Sequence, residues 1–216
     1  MKQNLTELDH KFSNHFKQLF EIQRELIEKY KSYEFDLDKT EITRAIHNRM
    51  SAFWYFNVHN TKELLRANIT PPASDFFTQT CMLFFKVYFE QRYEVLVCSE
   101  KSIVPGKKLV KPDITIWSKN EVKLLASIEL KVNNGWKKKE IKAHLEEREK
   151  KVKDASDGAY FGVIAFWNFF EKVEPEWKNK YVGLYEFNDN KNHPETGAYV
   201  EDIMKQIEQN IRCYKI

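Results

Sequence analysis

Cysteine, glycine and proline are all scarce in this chain of 216 residues. Its three cysteines, Cys81, Cys98 and Cys213, stand far apart with no CxxC pair. An odd, dispersed set excludes a disulfide framework and a cysteine-rich zinc module, and it reads as small core residues of a reducing compartment. Glycine and proline number 6 each, too few for a collagenous or low-complexity chain, and there is no internal repeat. Long apolar runs are missing too. Charges interrupt each one, and the opening MKQNLTELDH has no apolar stretch of the signal-peptide kind. The expectation is no membrane span, no secretory leader and a cytoplasmic location. Absent motifs narrow the chemistry further. No Gly-rich phosphate loop and no GxSxG elbow occur. The six histidines (His10, His15, His47, His59, His144 and His193) lack HxxxH or CxxH spacing, so they read as surface or satisfied core residues rather than zinc ligands.

What is abundant is aromatic and basic. Aromatic residues make up 14% of the chain, ample material for the core of one ordered domain, with or without an appendage. The net charge of +3 hides an uneven distribution. Residues 101–153 hold 15 Lys+Arg against 7 Asp+Glu, an excess of +8 that leaves −5 for the remainder. A local basic excess suits a nucleic-acid surface, although a lone lysine run is more simply a solvated helix face.

Apolar residues at Leu5, Leu8, Phe12, Phe16, Leu19, Leu26 and Tyr30 recur at three- and four-residue intervals and predict an amphipathic helix over 5–30. A second helix is predicted from Asp38 or Thr40, with Ile42, Ile46, Met50 and Phe53 on one stripe. Asn60 with Glu63 reads as the capping box of a short third. The FWYF run at 53–56 is read as core before base-stacking surface. Pro71-Pro72 marks a boundary. Beyond it Ser74 is read as the N-cap of a mostly apolar helix to about Gln91. Strand-like runs follow at 93–98, 112–117 and 122–132, then a charged helix over 137–155, strands at 159–167 and 181–187, and a last helix over 198–213. The predicted class is α/β, a mixed sheet flanked by helices over 74–216, preceded by an all-helical segment over 1–73.

Two of those strands carry the chemistry. Pro112-Asp113 opens one, and Glu129-Leu130-Lys131 closes its hairpin partner. Side chains alternate along a strand, so Glu129 and Lys131 share a face while Leu130 points to the core. Hairpin geometry then gathers Asp113, Glu129 and Lys131 at one end of the sheet, where the Leu130 carbonyl is a further oxygen donor. Oxygen donors of this kind suit Mg²⁺, or Mn²⁺ in its place, which shares its coordination with water and substrate phosphate. Lys131 would orient the attacking water or offset developing charge. If the strand at 93–98 runs antiparallel to the next, Asp75, Gln79 and Glu100 fall at this end and Glu90 at the other. The loop with Lys107 and Lys108 joins them there, as do Lys137, Lys138 and Lys139, the candidates for phosphate contact.

PD, 15 residues, then ELK resembles the motif of the PD-(D/E)XK nuclease superfamily, with its restriction-endonuclease-like fold, over roughly residues 74–170. The resemblance implies that Asp113 and Glu129 bind a divalent metal and that Lys131 assists catalysis. Many members also place a Glu on the helix before the first strand. Here no Glu occupies the N-terminal half of that helix, and Asp75, then Glu100, are the substitutes. The expected activity is metal-dependent endonucleolytic cleavage of DNA, by analogy as a homodimer. The alternatives are a catalytically inactive nucleic-acid-binding protein on the same fold and a nuclease directed at RNA.

Overall fold

The structure is a computed structural model, and it describes residues 4–67, 73–104, 110–132, 138–168, 175–186 and 199–214. The chain divides into two compact units, Met1–Phe35 and Asp36–Ile216. The division falls inside the helical segment read from the sequence as 1–73, so the second helix belongs with the sheet. The first unit is built on α1 (Leu5–Lys31), which is capped by Asn4 through a bond from the Thr6 N–H at 3.0 Å and contains no buried residue.

In the second unit α2 (Glu41–His59) buries Ile42, Ile46 and Met50 as its stripe foretells. The expected capping box at Asn60 is not formed. Residues Asn60–Leu64 continue α2 as a wider π-helical turn, and Glu63 turns back to the His59 imidazole instead of capping a new helix. Helix α3 (Ser74–Arg92) begins at Ser74 itself, with Ala73 as the residue before it, and buries Phe77, Phe84, Phe85 and Phe89. Next come β1 (Val95–Ser99), β2 (Ile114–Ser118), β3 (Leu124–Lys131), α4 (Lys138–Ala155), β4 (Tyr160–Asn168), a short 3₁₀ turn at Pro175–Trp177, β5 (Tyr181–Glu186) and α5 (Val200–Cys213).

The sheet has five strands in sequence order. β1, β2 and β3 form an antiparallel meander, whereas β4 and β5 run parallel to β3, so the sheet is mixed. The change of direction has a simple cause: the turn at 119–123 is a hairpin, but α4 intervenes between β3 and β4 and returns the chain for a parallel strand. Helix α4 covers one face, where Ile141, Leu145 and Val152 meet Phe161, Val163 and Ala165. On the other, Phe166 meets Phe77 edge-on at 5.8 Å, and α2, α3 and α5 pack together. A β-bulge interrupts the β2–β3 register between Ile116 and Trp117. It brings Leu124, as well as Glu129 five residues on, to the α4 face.

The aromatic run at 53–56 divides. Phe53 stacks on Phe76 at 4.7 Å and Trp54 lies near Phe166, whereas Tyr55 and Phe56 are exposed. The cysteines divide as well: Cys81 is buried and Cys98 half-buried, but Cys213 is exposed and is not the core residue expected of it. It falls at the end of an amphipathic helix, where the last turn leaves the packed face. No helix among the described residues is long and apolar enough to cross a membrane.

Candidate functional site

The β2–β3 hairpin does what its sequence promises at the open end. Ile114 pairs with Ile128, so Asp113, one residue before β2, lies level with Glu129 and Leu130. Its Oδ2 accepts the Leu130 N–H at 2.6 Å, which pins the carboxylate to the β3 backbone. Lys131 Nζ donates to Glu129 Oε2 at 2.9 Å and stands 3.8 Å from Asp113 Oδ2. One ammonium therefore bridges two carboxylates. Leu130 is buried, in keeping with its opposite direction along the strand.

The members of this group differ in access to water. The Glu129 side chain is only 3% exposed, against 20% for Lys131 and 30% for Asp113. Glu129 is thus the interior anchor and Asp113 the face a substrate could reach. Burial pushes the Asp113 carboxyl above the usual range; the Lys131 cation opposes that shift and the Glu129 anion adds to it. Its backbone is held from the other side also, because the Ser99 hydroxyl and the Glu100 N–H both donate to the Asp113 carbonyl. Glu100 reaches that position with a left-handed backbone, φ 49°.

Two further residues enter from α4. Arg148 Nε lies 3.7 Å from Glu129 Oε1, and both atoms are buried without a hydrogen-bond partner among the described residues. His144, one turn earlier, is near enough to feel Arg148, Lys131 and Glu129. Burial first, and then the two cations, hold its imidazole below the ordinary range. Neither residue was singled out by sequence, because both lie within a run dense in Lys and Glu. The signal was present nonetheless. Ile141, Leu145 and Val152 mark the inward stripe of α4, and Arg148 occupies the stripe position between Leu145 and Val152.

Asp75 and Glu100, the proposed substitutes for the helical Glu, are both exposed, and neither is among the charges that shift Asp113. The direction of α3 is as inferred, however, since Cys81 in its N-terminal half is within electrostatic reach of Asp113. Glu90, further along, bonds instead to the Val97 N–H at 3.0 Å. Lys107, Lys108 and Lys137 lie outside the described residues. Lys138 and Lys139 open α4, and their side chains lie outside them too.

Does this donor set fit a divalent cation? Among the described residues no group of three or more His, Cys, Asp or Glu is placed to share one. Yet the buried Glu129 Oε1 has only the Arg148 ion pair at 3.7 Å and no hydrogen-bond partner among the described residues, and leaving a buried oxygen so is costly. Asp113 and Glu129 with the Leu130 carbonyl make the partial oxygen shell that Mg²⁺ accepts when water and phosphate complete it. Comparison of the chain with protein-family models, with curated proteins and with solved structures returns no match.

Proposed function

We propose that this protein is a divalent-metal-dependent endonuclease that hydrolyses phosphodiester bonds in DNA, on a restriction-endonuclease-like fold of the PD-(D/E)XK kind. The observation that carries the reading is the convergence of Asp113, Glu129 and Lys131 at one end of a hairpin, where a buried Glu129 oxygen accepts no hydrogen bond from the described residues. Asp113 and Glu129 would hold Mg²⁺ or Mn²⁺, with the Leu130 carbonyl. When bound, such an ion neutralises charge on the phosphate oxygens and lowers the pKa of water. The chain's own side chains do the rest. Asp113 faces the substrate, Glu129 anchors the group from within, and Lys131 aims a positive donor at the developing negative charge. Arg148 and His144 give the wall opposite the sheet its charge and hydrogen-bonding capacity. The basic residues of 101–153 would track the nucleic-acid backbone, Lys107, Lys108, Lys137, Lys138 and Lys139 foremost. A cytoplasmic location accords with this substrate.

The test is cleavage of plasmid, single-stranded DNA and RNA with Mg²⁺ or Mn²⁺, with and without EDTA. The expected result is EDTA-sensitive cleavage of DNA, falling at least roughly a hundredfold in Asp113→Ala and in Lys131→Ala. Cleavage that survives either substitution overturns the assignment. Cleavage confined to RNA moves the same chemistry to the other polymer. A second reading, a nucleic-acid-binding protein with no turnover, is favoured by the exposed positions of Asp75 and Glu100, which leave the group with two carboxylates. It requires binding that weakens steeply with salt, no product, and no calorimetric heat on adding Mg²⁺.

A further inference from the structure

We infer that α1 is a self-association element, which pairs antiparallel with α1 of a second copy of this chain. The inference rests on the α1 surface alone and does not depend on the nuclease reading. None of the 27 residues of α1 is buried. Leu5, Leu8, Phe12, Leu19 and Ile22 are each more than half exposed, from 52% to 78%. An exposed apolar stripe of this kind, running from Leu5 to Ile22, is the sort of surface that marks an interface. Its spacing is specific. Leu5, Leu8, Phe12, Leu19, Ile22 and Leu26 occupy the alternating three- and four-residue positions of successive heptads, broken only by His15 and Lys29. That is the seam of a two-helix coiled coil.

Charge decides the direction. A parallel pair sets His15 against the partner's His15 and Lys29 against the partner's Lys29. It places Lys11 beside the partner's Phe16 and Glu25 beside the partner's Tyr30, so no opposite charges meet. An antiparallel pair in the register of fullest overlap sets Leu8 against the partner's Leu26 and Phe12 against the partner's Ile22. His15 then meets the partner's Leu19. Lys29 lies over the partner's Leu5 at the ends of the pair, where its aliphatic stem covers the leucine and its ammonium reaches water. In this register Lys11 faces the partner's Glu25 twice, once on each side of the two-fold axis. Phe16, which is 57% exposed, meets the partner's Phe16 at that axis. The same sequence thus satisfies both seam and flanking charges in one orientation only.

The experiment is sedimentation equilibrium on the full chain. The expected result is a reversible dimer. Phe12→Glu with Leu19→Glu should give a monomer whose near-ultraviolet circular dichroism is otherwise unchanged, because no α1 residue is buried. Lys11→Glu should raise the dimer Kd roughly tenfold by setting Glu against Glu, and Lys11→Glu with Glu25→Lys should restore it. A wild-type chain that stays monomeric overturns the proposal, as does a dimer indifferent to the double Glu substitution. A dimer that dissociates with the double Glu substitution but ignores Lys11→Glu overturns the antiparallel arrangement.

Discussion

The surroundings of Asp113 disfavour its charged form. Burial is the largest influence on it, and the net displacement of its pKa is upward. The folded state therefore takes up this proton at a higher pH than the unfolded chain, so the penalty is full above the folded pKa and absent below the ordinary value of 3.8. Asp113→Asn, which keeps an acceptor for the Leu130 N–H, should accordingly raise stability at neutral pH while abolishing cleavage. The stability gain should vanish as the pH falls past 3.8, in urea titrations run at several pH values. Loss of stability at pH 7 would contradict the account. The opposed effects on fold and activity are what a functional carboxylate gives and a structural one does not. This part of the site was legible in advance because strand alternation and a short hairpin are local rules. Arg148 was not, since a run of charges conceals which member of it points inward.

Between elements, the most consequential contact ties α2 to α5. Thr40, the N-cap of α2, makes no side-chain bond to the helix. The role passes to Glu201, only 1% exposed, whose Oε1 accepts the N–H groups of Ile42 at 2.7 Å and Thr43 at 3.0 Å. The Thr43 hydroxyl in turn donates to Glu201 Oε2 and accepts the Val200 N–H at 2.9 Å, at the start of α5. A carboxylate at a helix N-terminus is favoured by the dipole and by unpaired N–H groups. Glu201→Ala should cost about 3 kcal/mol, as expected for losing charge-assisted bonds in a buried setting. Glu201→Gln, which retains acceptor oxygen, should cost less. Both are read from denaturant midpoints, and equal losses would contradict the capping role. The helices themselves follow from their apolar stripes. Their mutual capping does not, because Thr43 and Glu201 are 158 residues apart and no local pattern links them. The false capping box at Asn60 has the converse lesson: a correct local signal yields where α2 can simply continue through Thr61, which is buried.

Across the whole α/β unit, acid sensitivity should draw on two histidines held low by burial, His144 and, foremost, His47. His47 is buried against the Tyr185 ring at 4.3 Å, with no hydrogen-bond partner for either nitrogen among the described residues. Burial lowers its pKa from 6.5 to about 4. The unfolded chain thus binds this proton at a higher pH than the folded one, and stability should fall as the pH drops from 6.5 towards 4. His47→Leu should flatten the stability profile in that window; a variant as acid-labile as the wild type would contradict this origin. The order of helices and strands along the chain was readable from apolar periodicity, whereas their order within the sheet was not, and His47 was not separable from the other histidines by spacing. The tie between Thr43 and Glu201 also has a consequence in time. During synthesis α2 leaves the ribosome long before α5 exists, so its first turn must wait, uncapped, for the start of α5. Emergence of α5, rather than of any earlier helix, is then the event that locks this unit shut.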